Sequence, residues 1–150
     1  MNRLLLESTR RELDDLIDYV NKSNFDELTL YIKVANTFGQ LSALFGSKLI
    51  ENPKNSEEEL KNACIAFNNA FKHCEEMQQD YTDLQMLEYG PTLEFILPAP
   101  LGDVVFFRNA EYLKELKDNR NYEWYSKVLE GKRMDFILND IKKIVGEEYD

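Results

Sequence analysis

Leu6, Leu13, Leu16, Ile17 and Val20 recur at helical intervals with charged residues between them, which predicts an amphipathic helix from Leu4 to Val20. Thr9 and Glu12 have the spacing of a capping box, which would move the start of that helix to Thr9. Asn24 and Glu27 repeat the signal ahead of Leu28, Tyr31, Ile32, Ala35, Phe38, Leu41 and Phe45, and predict a second helix reaching about Ile50. Within it Ala35, Gly39, Ala43 and Ser47 stand four apart, a face of little bulk that suits the close approach of another helix. A linker containing Pro53 leads to Ser56 and Glu59, a third capping box, with Glu57, Glu58 and Glu59 at the positive end of the helix dipole. From there Ala63, Phe67, Ala70, Cys74, Met77, Tyr81 and Leu84 alternate by four and three, the seam of a long central helix that runs on towards Tyr89.

Gly90 and Pro91 stop that helix. The next segment differs in kind. Leu93-Glu94-Phe95-Ile96-Leu97 and Val104-Val105-Phe106-Phe107 are rich in β-branched and aromatic residues and flank a stretch holding Pro98, Pro100 and Gly102. This reads as a short β-hairpin-like or extended excursion near 93–107. Asn109 can cap a short helix to Lys117, and Asn121 another carrying Tyr122, Trp124, Tyr125, Val128 and Leu129. Gly131 separates these from a last helix with a clean stripe of Met134, Ile137, Leu138, Ile141, Ile144 and Val145, ending at Gly146.

The pattern therefore predicts an all-α bundle of five or six helices with one short excursion, built as a single domain over residues 1–150. The apolar run around 93–107 is interrupted by Pro98, Pro100, Gly102 and Asp103, and so falls short of the roughly 20 residues a spanning helix needs. Leu4-Leu5-Leu6 is followed at once by Glu7, too short a run for the apolar region of a signal peptide. Cys64 and Cys74 sit ten positions apart on one predicted helix, about 15 Å along its axis, beyond the reach of a disulfide. Both read as small buried hydrophobes in a reducing compartment, and the expected location is the cytoplasm.

Charge changes the picture in one place. The chain carries 18 basic and 28 acidic residues, a net charge of −10, which argues against general binding to nucleic-acid phosphates or to an anionic membrane. Residues 1–72 hold 9 basic and 11 acidic residues, and residues 108–150 hold 9 and 10, so both flanks are close to balance. Residues 73–107 hold no Lys or Arg and seven acids: Glu75, Glu76, Asp80, Asp83, Glu88, Glu94 and Asp103. On a helix Glu76, Asp80 and Asp83 share a face with His73, leading into a segment of apolar side chains that includes Phe95 and Leu101. Charge steers an encounter and apolar anchors hold it, so these residues are the candidate surface for a basic partner. The competing reading is a merely solvated face that Lys or Arg from the flanks folds over to neutralise.

Catalytic signatures are absent. There is no G-x-G-x-x-G, no G-x-x-x-x-G-K-[ST], no G-x-S-x-G and no S-x-x-K. The single His73 rules out a multi-histidine zinc site, and on a helix it points about 100° away from Cys74. Acids on facing helices can hold metal ions, and Glu12, Asp15 and Asp18 could meet Glu76, Asp80 and Asp83 in a metal-dependent all-α phosphohydrolase. Such a chain would be similar to all-α nucleotide pyrophosphohydrolases, but their paired E-E-x-x-E pattern is not reproduced, because Glu75-Glu76 is followed by Asp80 at a different offset. Tyr122, Trp124 and Tyr125 interleave with Arg120, Lys127, Lys132 and Arg133 as in a nucleic-acid stacking platform. Glu123, Glu130 and Asp135 cancel that field, and the rings fit a core edge better.

The expectation is a non-catalytic protein, without cofactor or metal, that engages a larger protein through a basic groove, such as that of a nuclease or nucleic-acid-handling complex. It would contact neither nucleic acid nor membrane directly and would act as a monomer or homodimer. Small acidic immunity proteins and phage-encoded inhibitors work in this general manner, an analogy of size, charge and helicity. The alternatives are the metal-dependent hydrolase and a structural subunit of a homo-oligomer.

Overall fold

Asn2 sets the start of the first helix. Its side-chain oxygen accepts from the N–H groups of Leu4 and Leu5 at 3.0 and 3.1 Å, and α1 spans Arg3–Val20. Thr9 is therefore no cap: it is buried two turns inside α1, and its hydroxyl donates to the Leu5 carbonyl at 2.6 Å. The computed structural model describes residues 2–21, 26–72, 93–96, 103–106 and 120–149. The expected extension of the third helix over residues 73–89, its stop at Gly90-Pro91 and the short helix from Asn109 to Lys117 lie outside them.

Helix α2 spans Glu27–Leu44 and is capped by Asp26, whose carboxylate accepts from both the N–H and the hydroxyl of Thr29 at 2.8 and 2.7 Å. It ends six residues short of Ile50 because Gly46 takes a left-handed φ of 99°, closing a Schellman cap. The Gly46 N–H donates to Ala43 and the Ser47 N–H to Ser42, at 3.2 and 2.8 Å. This shortening also corrects the small-residue face. Ala43 and Ser47 are exposed, while at Gly39 Asn68 Oδ1 of the next helix lies 3.7 Å from where a Cβ would stand.

Helix α3, Ser56–Lys72, is capped one residue earlier than expected, by Asn55, whose side chain accepts from the Glu58 N–H at 2.9 Å. The seam residues Ala63 and Phe67 are buried, but so is every residue from Leu60 to Asn68. A helix enclosed on all sides is a core element rather than an amphipathic surface helix. Two polar residues of that stretch explain how it tolerates enclosure. Asn62 grips the backbone of Ile50, accepting from its N–H at 2.6 Å and donating to its carbonyl at 2.9 Å. Lys61 lays its ammonium over the Phe45 ring, 5.6 Å from the centroid.

Helix α4 spans Arg120–Val128, so Asn121 lies within it rather than capping it, and its side-chain oxygen accepts from Asn69 of α3 at 3.0 Å. A turn through Gly131, at φ 74°, leads to α5, Met134–Tyr149, which continues past Gly146. All six residues of the expected α5 stripe are buried. The described part of the molecule is mostly helical, with five helices.

Helices α1 and α2 are antiparallel: Ser8 meets Gln40 at one end, and the Tyr19 hydroxyl accepts from the Asp26 N–H at the other. α2 packs on α3, α3 on α4, and α5 returns against α1. There Arg10 donates to the Val145 carbonyl and Lys142 meets Asp14, both at 3.0 Å. Two strands, β1 (Leu93–Ile96) and β2 (Asp103–Phe106), pair antiparallel with Leu93 opposite Phe106 and Ile96 opposite Asp103.

Candidate functional site

The place where β2 enters the bundle is built from both backbone and ring contacts. The Phe106 N–H donates to the Lys132 carbonyl at 3.0 Å, and the Gly131 N–H donates to the Phe106 carbonyl at 2.9 Å. The left-handed turn at Gly131 between α4 and α5 turns these groups towards the strand. The Phe106 ring has no exposed surface and sits edge-on to Phe38 of α2, Phe67 of α3 and Tyr125 of α4, with centroids 6.1, 5.2 and 6.5 Å away. Phe38 and Phe67 are themselves 4.5 Å apart. One residue of the excursion thus completes the core: Phe106, which was not among the residues expected to meet a partner, belongs to the fold.

Among the residues expected to bind a partner, Glu94 and Phe95 lie in β1, opposite Val105 and Val104, and Asp103 lies in β2 opposite Ile96. The register places Glu94 and Asp103 on one face of the strand pair and Phe95 on the other. Glu75, Glu76, Asp80, Asp83, Glu88 and Leu101 lie outside the described residues. Sequence reasoning passed over Phe106 as an anchor and Gly131-Lys132 as its receptor. Gly131 was legible as a turn, but nothing local in the sequence says that a strand 25 residues upstream closes onto it.

The remaining chemistry of the described surface is balanced. A groove of about 520 Å³ opens between the first turn of α3, the end of α4 and α5. Its charged rim is Glu57, Glu59 and Asp140 against Lys127, Lys132 and Lys143, and Lys127 pairs with Glu59 at 3.2 Å. Equal numbers of both signs give it no preference for an anion or a cation. The stacking platform considered for α4 is not assembled, for Tyr125 is in the core and Lys127 lies over the Trp124 ring, 5.2 Å from its centroid. Arg133 is held by Asp135 at 2.8 Å and stacks on the Phe136 ring.

Glu12, Asp15 and Asp18 are on α1, which packs against α2 and α5, whereas the described turns of α3 pack on α2 and α4. Among the described residues no group of three or more His, Cys, Asp or Glu is placed to hold a metal ion. Cys64 is fully enclosed, and burial pushes its thiol well up from the ordinary value, which keeps it protonated and unreactive. Hydrogen bonds from Thr29 hold the exposed Asp26 carboxyl below its ordinary 3.8. No helix among the described residues is long and apolar enough to cross a membrane. Comparison with known protein families, curated proteins and solved structures found no match.

Proposed function

We propose that this chain is a small acidic, non-catalytic protein-binding module of the inhibitor or immunity type, which engages the basic groove of a larger cytoplasmic protein such as a nuclease or nucleic-acid-handling enzyme. In this reading α3 continues beyond Lys72 as the spine of the bundle, and 93–107 is a hairpin at the end of the acidic stretch. Glu75, Glu76, Asp80, Asp83 and Glu88 steer the partner, and Glu94, Phe95, Leu101 and Asp103 hold it. The chain works as a monomer or homodimer and needs no metal or cofactor.

The observation that carries the proposal is the confinement of charge. Seven acids without one Lys or Arg occupy residues 73–107, while both flanks are near balance. Like charges at helical spacing repel by a few tenths of a kcal/mol per pair, a cost that binding a basic partner would offset. The groove between α3, α4 and α5 offers no comparable bias, since its lysines and acids cancel.

Affinity capture from the native host tests this, with wild type beside a variant carrying Glu76→Ala, Asp80→Ala and Asp83→Ala, at rising salt. The wild-type chain is expected to retain a basic protein that salt releases, and the variant to retain it about tenfold less. Equal capture by both chains, insensitive to salt, would remove the electrostatic basis of the proposal.

A further inference from the structure

The described surface is balanced as a whole, but one small cavity in it is not. A pocket of about 360 Å³ lies between the loop that joins α2 to α3 and the first turns of α4. Both walls are fastened to the core helix. Asn62 of α3 holds the N–H and carbonyl of Ile50 in the loop, at 2.6 and 2.9 Å, and Asn69 of α3 donates to Asn121 of α4 at 3.0 Å. A cavity held in this way is formed before any ligand arrives, so binding need not order it. Its volume falls at the small end of the roughly 300–1,000 Å³ range of ligand pockets and suits one long side chain.

Each part of the lining favours the same kind of group. Leu49, Ile50 and Pro53, all half-buried, give an apolar wall against which methylene groups can lie. Trp124 contributes an indole, a ring that attracts cations, as the Lys127 ammonium over it shows. Lys127 itself is turned to Glu59 in the neighbouring groove. Two carboxylates, Glu51 from the loop and Glu123 from α4, line the pocket from opposite walls, and among the described residues neither is engaged in an ion pair or a side-chain hydrogen bond. Arg120 also lines the pocket and has a partner other than these two acids. An ammonium is a compact, strongly hydrated charge, whereas a guanidinium is planar, stacks on aromatic rings and can present donors to two carboxylates at once.

We propose that this pocket takes an arginine side chain of the partner protein, with its guanidinium among Glu51, Glu123 and Trp124 and its methylenes against Leu49, Ile50 and Pro53. The inference rests on the reading of the chain as a binder of a basic protein only for the source of the arginine. The residues that line the pocket all lie outside 73–107, so the contact stands or falls separately from the acids of that stretch.

Trp124 is the only tryptophan of the chain, so its fluorescence reports on this pocket without interference from another indole. The probe is the blocked peptide Gly-Arg-Gly, titrated to millimolar concentration into the full chain, alongside Gly-citrulline-Gly, which keeps the shape and removes the charge, and Gly-Lys-Gly. Amide shifts of residues 49–53 and 120–124 give a second readout by NMR. The arginine peptide is expected to produce a saturable change at Trp124 and in both groups of amides, with citrulline binding about tenfold and lysine about threefold more weakly. In a chain carrying Glu51→Gln and Glu123→Gln, arginine binding falls about tenfold; if that variant does not fold, the citrulline peptide on the wild-type chain gives the same answer. Equal binding of arginine and citrulline, no saturable change in either readout, or unchanged binding by the folded double variant overturns the proposal. A lysine peptide that binds as tightly as arginine overturns the assignment to arginine. These failures leave the capture experiment with Glu76, Asp80 and Asp83 untouched, whereas loss of salt-dependent capture with arginine binding retained removes the acidic-module reading and leaves the pocket standing.

Discussion

β1 and β2 are both four residues long and pair with each other, but they stand in different relations to the rest of the chain. β2 ends on Phe106, whose backbone closes on the α4–α5 turn and whose ring completes an aromatic cluster drawn from α2, α3 and α4. β1 pairs with β2. An isolated two-stranded pair is marginal in water, so β1 borrows its order from the anchor on its neighbour. The same division holds on a larger scale. The helical part balances its charges and buries its stripes, while residues 73–107 gather seven acids and no cation. On the proposed reading, the first region serves the fold and the second a partner.

The sharpest way to break that division is at its joint. Phe106→Ala removes a fully buried ring shared by four elements and should cost about 3–5 kcal/mol, lowering the melting temperature by roughly 10–20 °C. Thermal unfolding by circular dichroism reads it, and a loss below about 1 kcal/mol would mean that β2 does not belong to the core. Next comes the grip of α3 on the loop after α2. Asn62→Ala strands the N–H and carbonyl of Ile50, and denaturant unfolding should show a loss of about 1–3 kcal/mol.

A smaller effect is expected at the start of α2. Hydrogen bonds from Thr29 depress the Asp26 pKa, so its contribution is present above the ordinary 3.8 and is lost as pH falls through the folded-state value. Wild type should therefore lose part of its advantage over Asp26→Ala on acidification, and melting curves of both proteins between neutral and strongly acid pH would show the gap narrow. Smaller still is Lys127→Ala. The Lys127 to Glu59 pair bridges α4 and α3 at 3.2 Å with the lysine 59 % exposed, so its removal should change stability by no more than about 0.5 kcal/mol in chemical denaturation.

What the sequence revealed follows from how local each signal is. The α5 stripe was legible to the residue, because Met134, Ile137, Leu138, Ile141, Ile144 and Val145 face one core and the other side faces water. α3 was harder: residues 60–68 are buried whatever face they occupy, so periodicity picks out Ala63 and Phe67 but is silent on Asn62, whose partner lies in the preceding loop. Caps were misplaced where a neighbouring Asn or Asp competed, with Asn2 preferred to Thr9 and Asn55 to Ser56. Gly46 carried the signal for the end of α2, and the apolar residues that continue to Ile50 obscured it. Of the candidate site, the pairing of Glu94 and Phe95 with Val105 and Val104 depends on strand register, and the seat of Phe106 on contacts between distant segments, neither of which a linear pattern encodes.

The central claim is that the acids of residues 73–107 are held for a partner and not used by the fold. Thermal unfolding of the chain carrying Glu76→Ala, Asp80→Ala and Asp83→Ala tests it most directly. Unused like charges give up only repulsion when removed, so the account predicts a melting temperature equal to or slightly above wild type. A fall approaching that of Phe106→Ala would show those carboxylates paired within the molecule and contradict the account.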